Sequence, residues 1–64
     1  MCQSNVYIID GDREELVQED VALVEIDGDR VAMKTLFGEP ISLCARIKAI
    51  DLMKHRIVLE RRDR

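Results

Sequence analysis

The chain has 64 residues, a formal net charge of −3 and an apolar content of 47%, with one Tyr, one Phe and no Trp. A chain of this length forms a single domain, residues 1–64, with a marginal core, because only about 60% of its unfolded surface becomes buried on folding. It contains no run of about 18 apolar residues and no charged-then-apolar leader, so we expect a cytoplasmic protein with neither a membrane span nor a signal peptide.

The only cysteines are Cys2 and Cys44. Two cysteines are a poor disulfide framework for a small secreted domain, and the cytosol would keep both reduced. Small domains that lack such a framework usually depend on a metal or on a partner chain. We therefore expect dimerisation or metal binding.

Two hairpins are predicted from a repeated pentapeptide, Ile-Asp-Gly-Asp-Arg, at residues 9–13 and 26–30. Asp-Gly between alternating apolar runs is typical of a two-residue hairpin with a type I′ turn, in which both central residues have positive φ. A calcium loop is excluded, because an EF-hand needs acidic ligands at alternate positions and a Gly at the sixth. The predicted hairpins join residues 5–9 to a short strand near 14–17, and residues 21–26 to 31–36.

A helix competes for residues 14–26, which contain some apolar i, i+4 spacing. The density of β-branched residues and the Asp-Gly exit favour strands, with a helical turn around residues 18–21. In the following strand Met33 belongs to the inward set with Val31, and both are predicted core residues.

A turn at residues 37–40, marked by Gly and Pro, precedes a long alternating segment over 41–53. Its first half places one apolar set on a single face, but the parity changes after Ala49, so that Ile50 and Leu52 become the apolar pair. A strand changes its buried face only at a bulge or sharp bend. The first apolar set consists of Ile41, Leu43, Ala45 and Ile47.

The chain then turns at Lys54 and His55 into a last strand, residues 56–60, with Ile57 and Leu59 pointing inward. We expect an all-β fold of five to six short antiparallel strands that curl into a small barrel. Edge strands of that sheet would be available for pairing with another copy. Residues 54–64 carry five basic and two acidic side chains, a net +3 that leaves −6 for residues 1–53. A basic tail can contact nucleic acid or an acidic partner, but we favour the interpretation that it is a solvated terminus.

Catalytic residues are not predicted. One His and two Cys are too few for a zinc site within one chain, and no phosphate-binding loop or nucleophile elbow is present. His55 is predicted to be an exposed turn residue, because a catalytic imidazole needs an orienting partner in a pocket. Cys44 has outward parity in its strand and is predicted to be a small surface or interface residue, with a metal or redox role as the alternative.

Cys2 is the candidate metal ligand, because its sulfur lies next to backbone nitrogen at the chain terminus. If Met1 is retained, its amine, the Cys2 amide nitrogen and the Cys2 sulfur can form fused five-membered chelates; if Met1 is removed, the amine belongs to Cys2. Mixed nitrogen and sulfur sites of this kind suit Ni(II) or Cu(II). One chain has too few donors, but two chains meeting at a twofold axis supply two sulfurs and two nitrogens. On composition alone, an idle terminal thiol is the favoured interpretation.

Three segments resemble the CooT family of small nickel-binding proteins: MCQSNVY at residues 1–7, DVALVEIDGDRVAMKTLFGE at 20–39 and RIKAIDLMKHRIVLE at 46–60. The resemblance implies a cytoplasmic Sm-like or SH3-like β-barrel that forms a homodimer. It also implies one Ni(II) per dimer, held by Cys2 of both chains with neighbouring nitrogen (the Met1 amine or the Cys2 backbone), and a role in nickel supply for carbon monoxide dehydrogenase. Hydrogenase-maturation chaperones that begin Met-Cys are a weaker likeness.

The leading hypothesis is therefore a nickel-binding accessory protein, a metallochaperone or store rather than an enzyme. The rival is an RNA-binding module on an Sm-like barrel, since members of the family are also described as RNA-binding. The chain has a negative net charge and only two aromatic residues, Tyr7 and Phe37. Both features argue against RNA binding, which uses a basic groove and aromatic stacking platforms. A third hypothesis is a structural interaction domain with an inert Cys2.

Overall fold

The computed structural model describes residues 3–61, and these form five strands joined by short turns. The strands close into a ring in chain order, with β5 beside β1. Within the described residues no helix is long and apolar enough to cross a membrane. The predicted all-β class is confirmed, with five strands. Their bounds are β1 (Ser4–Asp10), β2 (Arg13–Asp27), β3 (Arg30–Thr35), β4 (Ile41–Asp51) and β5 (Arg56–Arg61).

The ring closes through a parallel pair, β1 with β5, in which Ile8 lies opposite Leu59. The other four pairs are antiparallel. An odd number of strands in chain order forces this result, because alternate strands reverse direction and the first and fifth then run the same way. The prediction of an entirely antiparallel sheet is wrong for this pair. The expected edge strands are also absent from residues 3–61, because closure gives every strand two neighbours.

β2 is one bent strand where the sequence predicts two strands and a helical turn. Its first half pairs with β1 and its second half with β3, and the register shifts on both sides of Asp20. Asp20 has a φ of 58°, in the left-handed region, and its amide donates to the Oδ1 of Asn5 at 3.2 Å. Asp tolerates this region because its short polar side chain adds little steric conflict. The predicted helical turn at 18–21 is wrong, since that segment is the bend of the strand.

Both copies of the repeated pentapeptide form two-residue hairpins, as predicted. The central residues are Gly and the following Asp, with Gly11 at φ 67° and Gly28 at φ 61°. Asp12 and Asp29 do not have positive φ. Positive φ at the first central residue only, and Gly in that place, is the pattern of a type II′ turn. The predicted type I′ geometry is therefore wrong. The first Asp of each copy is the last residue of its strand, so the two central turn residues are Gly-Asp and not Asp-Gly.

Replacing Gly28 by Ala is expected to lower the free energy of unfolding by about 1–2 kcal/mol, because a Cβ disfavours the left-handed region. No atom lies within 4 Å of the Cβ position, so the loss is conformational and not steric. Gly28→Asn is the matched control and should lose less, since Asn tolerates positive φ. Urea denaturation followed by circular dichroism measures both. Equal losses for Ala and Asn would contradict the conformational explanation.

The predicted bulge in β4 is present. Ile47 lies opposite Leu59 and Ala49 lies opposite Val58, so Lys48 is the extra residue. The first apolar set faces inward as predicted, with Ala45 buried. Beyond the bulge the prediction is wrong: Ile50 and Leu52 are exposed. Ile50 is still paired with Ile57 of β5, and Leu52 lies in the turn that follows β4.

The core is small and draws on all five strands. Met33, Val31 and Leu59 are buried as predicted, and Ile57 packs against them partly buried. Because few side chains are buried, each one contributes a larger share of the free energy of unfolding than in a larger domain. The buried side chains are Val6, Ile8, Val21, Val31, Met33, Ala45 and Leu59.

Candidate functional site

The described chain begins at one end of the ring, beside two turns. Ser4 lies opposite Val21, and Val21 lies opposite Thr35 at the end of β3. On the other side of β1, the amide of Asn5 donates to the carbonyl of His55 at 2.9 Å. We call this region the N-terminal end of the ring, defined by Ser4, Val21, Thr35 and the turn 52–55.

The turn 52–55 is built by local hydrogen bonding and an unusual backbone conformation. The Oδ1 of Asp51 accepts a hydrogen bond from the amide of Lys54 at 3.1 Å. His55 has a φ of 56°, and His is one of the residue types enriched in the left-handed region. Its side chain is exposed, so the prediction of an exposed turn residue is confirmed.

The turn after β3 is held by a single hydroxyl. The Oγ1 of Thr35 accepts from the amides of Phe37 at 3.3 Å and Gly38 at 2.6 Å. A Cβ on Gly38 would stand 2.9 Å from the same oxygen, so a glycine keeps the turn close. The predicted turn at 37–40 is confirmed, and this arrangement presents Leu36 and Phe37 outward.

Large apolar side chains are exposed on both turns of the N-terminal end. Their exposed fractions are 58% for Leu36, 94% for Phe37, 78% for Leu52 and 90% for Met53. We call these four residues the apolar end cluster. Sequence reasoning placed Leu52 inward and assigned no role to the other three. The available signal was the presence of large apolar residues in or beside two predicted turns rather than within strands.

The predicted ligands Met1 and Cys2 lie outside the described residues, and Gln3 is the first residue with a described position. Within residues 3–61, no three His, Cys, Asp or Glu side chains are grouped so that they could hold a metal ion. The described part of one chain therefore contains no closed metal centre of such ligands.

Cys44 lies at the opposite end of the ring from the start of β1. It is exposed and unbridged, as its predicted outward parity requires, and it lies opposite Arg30. The neighbouring Ala45 amide donates to the Asp29 carbonyl in the 28–29 turn at 3.0 Å. The thiol borders a cavity of about 290 Å³ that is also lined by Ile8, Glu15, Leu16, Val17, Leu43 and Arg61.

Tyr7 is already engaged by a cation from the same chain. The Arg56 guanidinium carbon lies 4.2 Å from the centroid of the Tyr7 ring, and the same guanidinium pairs with the Glu14 carboxylate. A ring covered in this way is not an open stacking platform for a nucleobase, which is what single-stranded nucleic acid requires.

The amino-acid sequence matches the family described as CO dehydrogenase accessory protein CooT over residues 1–60. The chain belongs to the CooT family. A protein of Methanocaldococcus jannaschii is 42% identical over 60 residues, covering 94% of this chain and 98% of its own length. Another, from Methanothermobacter thermautotrophicus, is 35% identical over 63 residues, covering 98% and 94% respectively. Neither relative is functionally characterised.

A crystal structure assigned to CooT of Carboxydothermus hydrogenoformans is similar to this fold, with a TM-score of 0.87 and 35% identity. The likeness covers 97% of this chain and all of the other. The CooT resemblance predicted from sequence is therefore confirmed. Membership of CooT places the chain in a family described as CO dehydrogenase accessory proteins.

Proposed function

We propose that this CooT protein binds nickel as cargo for CO dehydrogenase, as a homodimer that holds one Ni(II) through Cys2 of each chain. The observation that carries the proposal is the family match, which begins at Met1 and so includes Cys2. Delivery or storage of nickel is the corresponding role.

The donor chemistry of the terminus supports nickel. A Cys thiolate with adjacent backbone or terminal nitrogen is a mixed sulfur and nitrogen set that suits square-planar Ni(II). If Met1 is retained, its amine and the Cys2 amide nitrogen are the nitrogen donors; if it is removed, the Cys2 amine takes that place. Copper and zinc also bind such donors, so metal selection in the cell depends on availability as well.

A dimer is supported by the number of donors. One terminus offers a single thiolate, and residues 3–61 of the same chain add no grouped His, Cys, Asp or Glu ligands. In a symmetric dimer, a residue that lies at the twofold axis meets its own mate. Two Cys2 residues at the axis, each with its thiolate and one neighbouring nitrogen, can therefore complete a four-donor site.

The wild-type chain is expected to bind one Ni(II) per two chains. Isothermal titration measures the stoichiometry in solution, and native mass spectrometry measures the mass of the dimer with and without nickel. The same spectra show whether Met1 is present, which identifies the amine that acts as ligand. Binding of one nickel to each monomer, or no stoichiometric binding, would contradict the proposal.

An RNA-binding role on an Sm-like barrel is the second hypothesis, and no contact of the described residues favours it. The net charge is −3, and the Tyr7 ring is covered by Arg56. Phosphate binding depends on clustered positive charge and weakens steeply with salt. A salt-dependent mobility shift with single-stranded RNA would be needed to revive this hypothesis.

A further inference from the structure

We propose that the first half of β2 is a docking edge for an extended, basic segment of another protein. β2 pairs with β1 from Arg13 to Val21 and with β3 from Val21 to Asp27. On the side away from β1, no strand of residues 3–61 therefore pairs with residues 14–19, which we call the open edge. Closure of the ring gives β2 two neighbours, but each of them covers only one half of the strand.

The open edge carries backbone donors and acceptors that one more strand would satisfy. Hydrogen-bonded and non-hydrogen-bonded residues alternate along an antiparallel pair, so about every second residue of the open edge directs its amide and carbonyl away from β1. Such groups are a template for another extended chain. In peptide recognition by strand addition, main-chain hydrogen bonds supply affinity, and pockets for alternate side chains supply specificity.

The other unpaired half-strands of the ring are less open. The second half of β2 is unpaired on the side of β1, directly beside Ser4, and the first half of β4 is unpaired on the side of β5, directly beside Arg61. The described chain begins and ends close to these two residues. The second half of β4 meets the 28–29 turn, where the Asp29 carbonyl accepts from the Ala45 amide at 3.0 Å. The open edge is therefore the half-strand best placed for a separate molecule.

A cavity of about 290 Å³ lies against the open edge and can take one side chain of such a segment. Glu15, Leu16 and Val17 form one wall, and Leu43 of β4 contributes to the wall across from them. The register shift between Leu16 and Gln18 leaves Val17 as an extra residue, and a bulge of this kind re-aims side chains at a strand edge. Because the lining is largely aliphatic, the cavity fits an aliphatic side chain.

The charge of the open edge favours a basic partner. Residues 13–20 contain four carboxylates and one guanidinium. That guanidinium, of Arg13, already lies 3.4 Å from the Glu15 carboxylate. The Glu19 and Asp20 carboxylates take part in no ion pair with another residue of 3–61. Lysine or arginine side chains of a docked segment would complement them, and complementary charge raises the association rate and fixes the orientation of a partner.

The docking edge goes beyond the proposed function, because it requires neither nickel nor a second copy of this chain. It is tested with a synthetic peptide, Lys-Val-Lys-Val-Lys-Val-Lys, titrated into the isotopically labelled full chain in the absence of metal. We expect saturable binding, with the largest changes in amide chemical shift at residues 14–19. The same peptide with every backbone amide N-methylated keeps its side chains but loses its donors, so it should bind at least about tenfold more weakly.

The contribution of charge is measured with two double variants. Glu15→Gln with Glu19→Gln should weaken peptide binding about five- to tenfold at low salt, and the difference should shrink as the salt concentration rises. The matched control is Glu25→Gln with Asp27→Asn, which removes the same charge from exposed positions in the half of β2 that β3 covers. Its affinity for the peptide should stay within about twofold of the wild type. Circular dichroism melts show that both variants are folded.

Several results would overturn the docking edge. They are the absence of saturable binding up to about 1 mM peptide, equal affinity for the N-methylated peptide, or largest shift changes away from residues 14–19. Concentration-dependent shifts of these amides without peptide would assign the edge to a second copy instead, and would also overturn the proposal. Nickel stoichiometry is measured separately, so failure of the docking edge leaves the nickel proposal standing, and the reverse also holds.

Discussion

Replacing Cys2 by Ser is expected to lower the affinity for Ni(II) by more than about 100-fold, since loss of even an outer-shell partner costs about 10–100-fold. The thiolate is the ligand form of cysteine, and a soft sulfur donor has no equivalent in a neutral serine hydroxyl. In the proposed dimer the substitution removes both sulfurs at once. Isothermal titration of the full chain with Ni(II), with and without a competing chelator, measures the change.

Cys44→Ser is the matched control for this experiment. Its thiol is exposed at the end of the ring opposite the start of β1, where it lies across from Arg30. Nickel affinity and stoichiometry should therefore equal those of the wild type. Retention of stoichiometric, tight binding by Cys2→Ser would refute the proposed site, and loss of binding by Cys44→Ser alone would transfer the ligand role to the opposite end.

Replacing Leu59 by Ala is expected to lower the free energy of unfolding by about 2–5 kcal/mol, the usual cost of deleting a buried leucine side chain. Leu59 is 0% exposed and lies between Ile8 of β1 and Ile47 of β4, at the parallel closure of the ring. A chain of this size has a total stability of about 3–10 kcal/mol, so the loss is a large fraction of the whole.

The urea midpoint should fall by about 2 M or more if the slope is near 1 kcal/mol/M, as in small domains. Leu16→Ala is the control, because Leu16 is 48% exposed in β2 and should lose less than about 1 kcal/mol. All variants are compared at one protein concentration, since the proposed dimerisation would add to the apparent stability. Equal losses of unfolding free energy for the two variants would contradict the view that Leu59, at the closure of the ring, is a main source of core stability.

Local features were predictable because short segments decide them. The Asp-Gly dipeptides correctly predicted both hairpins, and the change of apolar parity after Ala49 correctly predicted a bulge in β4. The turn type was missed, because Gly occupies the first and not the second central position, and that depends on which residue ends the strand. The inward prediction for Ile50 and Leu52 failed because parity assigns a face but not whether anything covers it.

The sequence by itself determined the strand-rich composition, the two hairpins, the family and the unusual thiol at Cys2, since these depend on residue type and near neighbours. Only the tertiary structure decided that β2 bends at Asp20 as one strand, that β1 and β5 close the ring in parallel, and that Cys44 lies away from the start of β1. It also showed that Phe37 and Met53 share the N-terminal end. These are pairings between segments far apart in the chain, and they depend on closure of the whole ring, which no local pattern encodes.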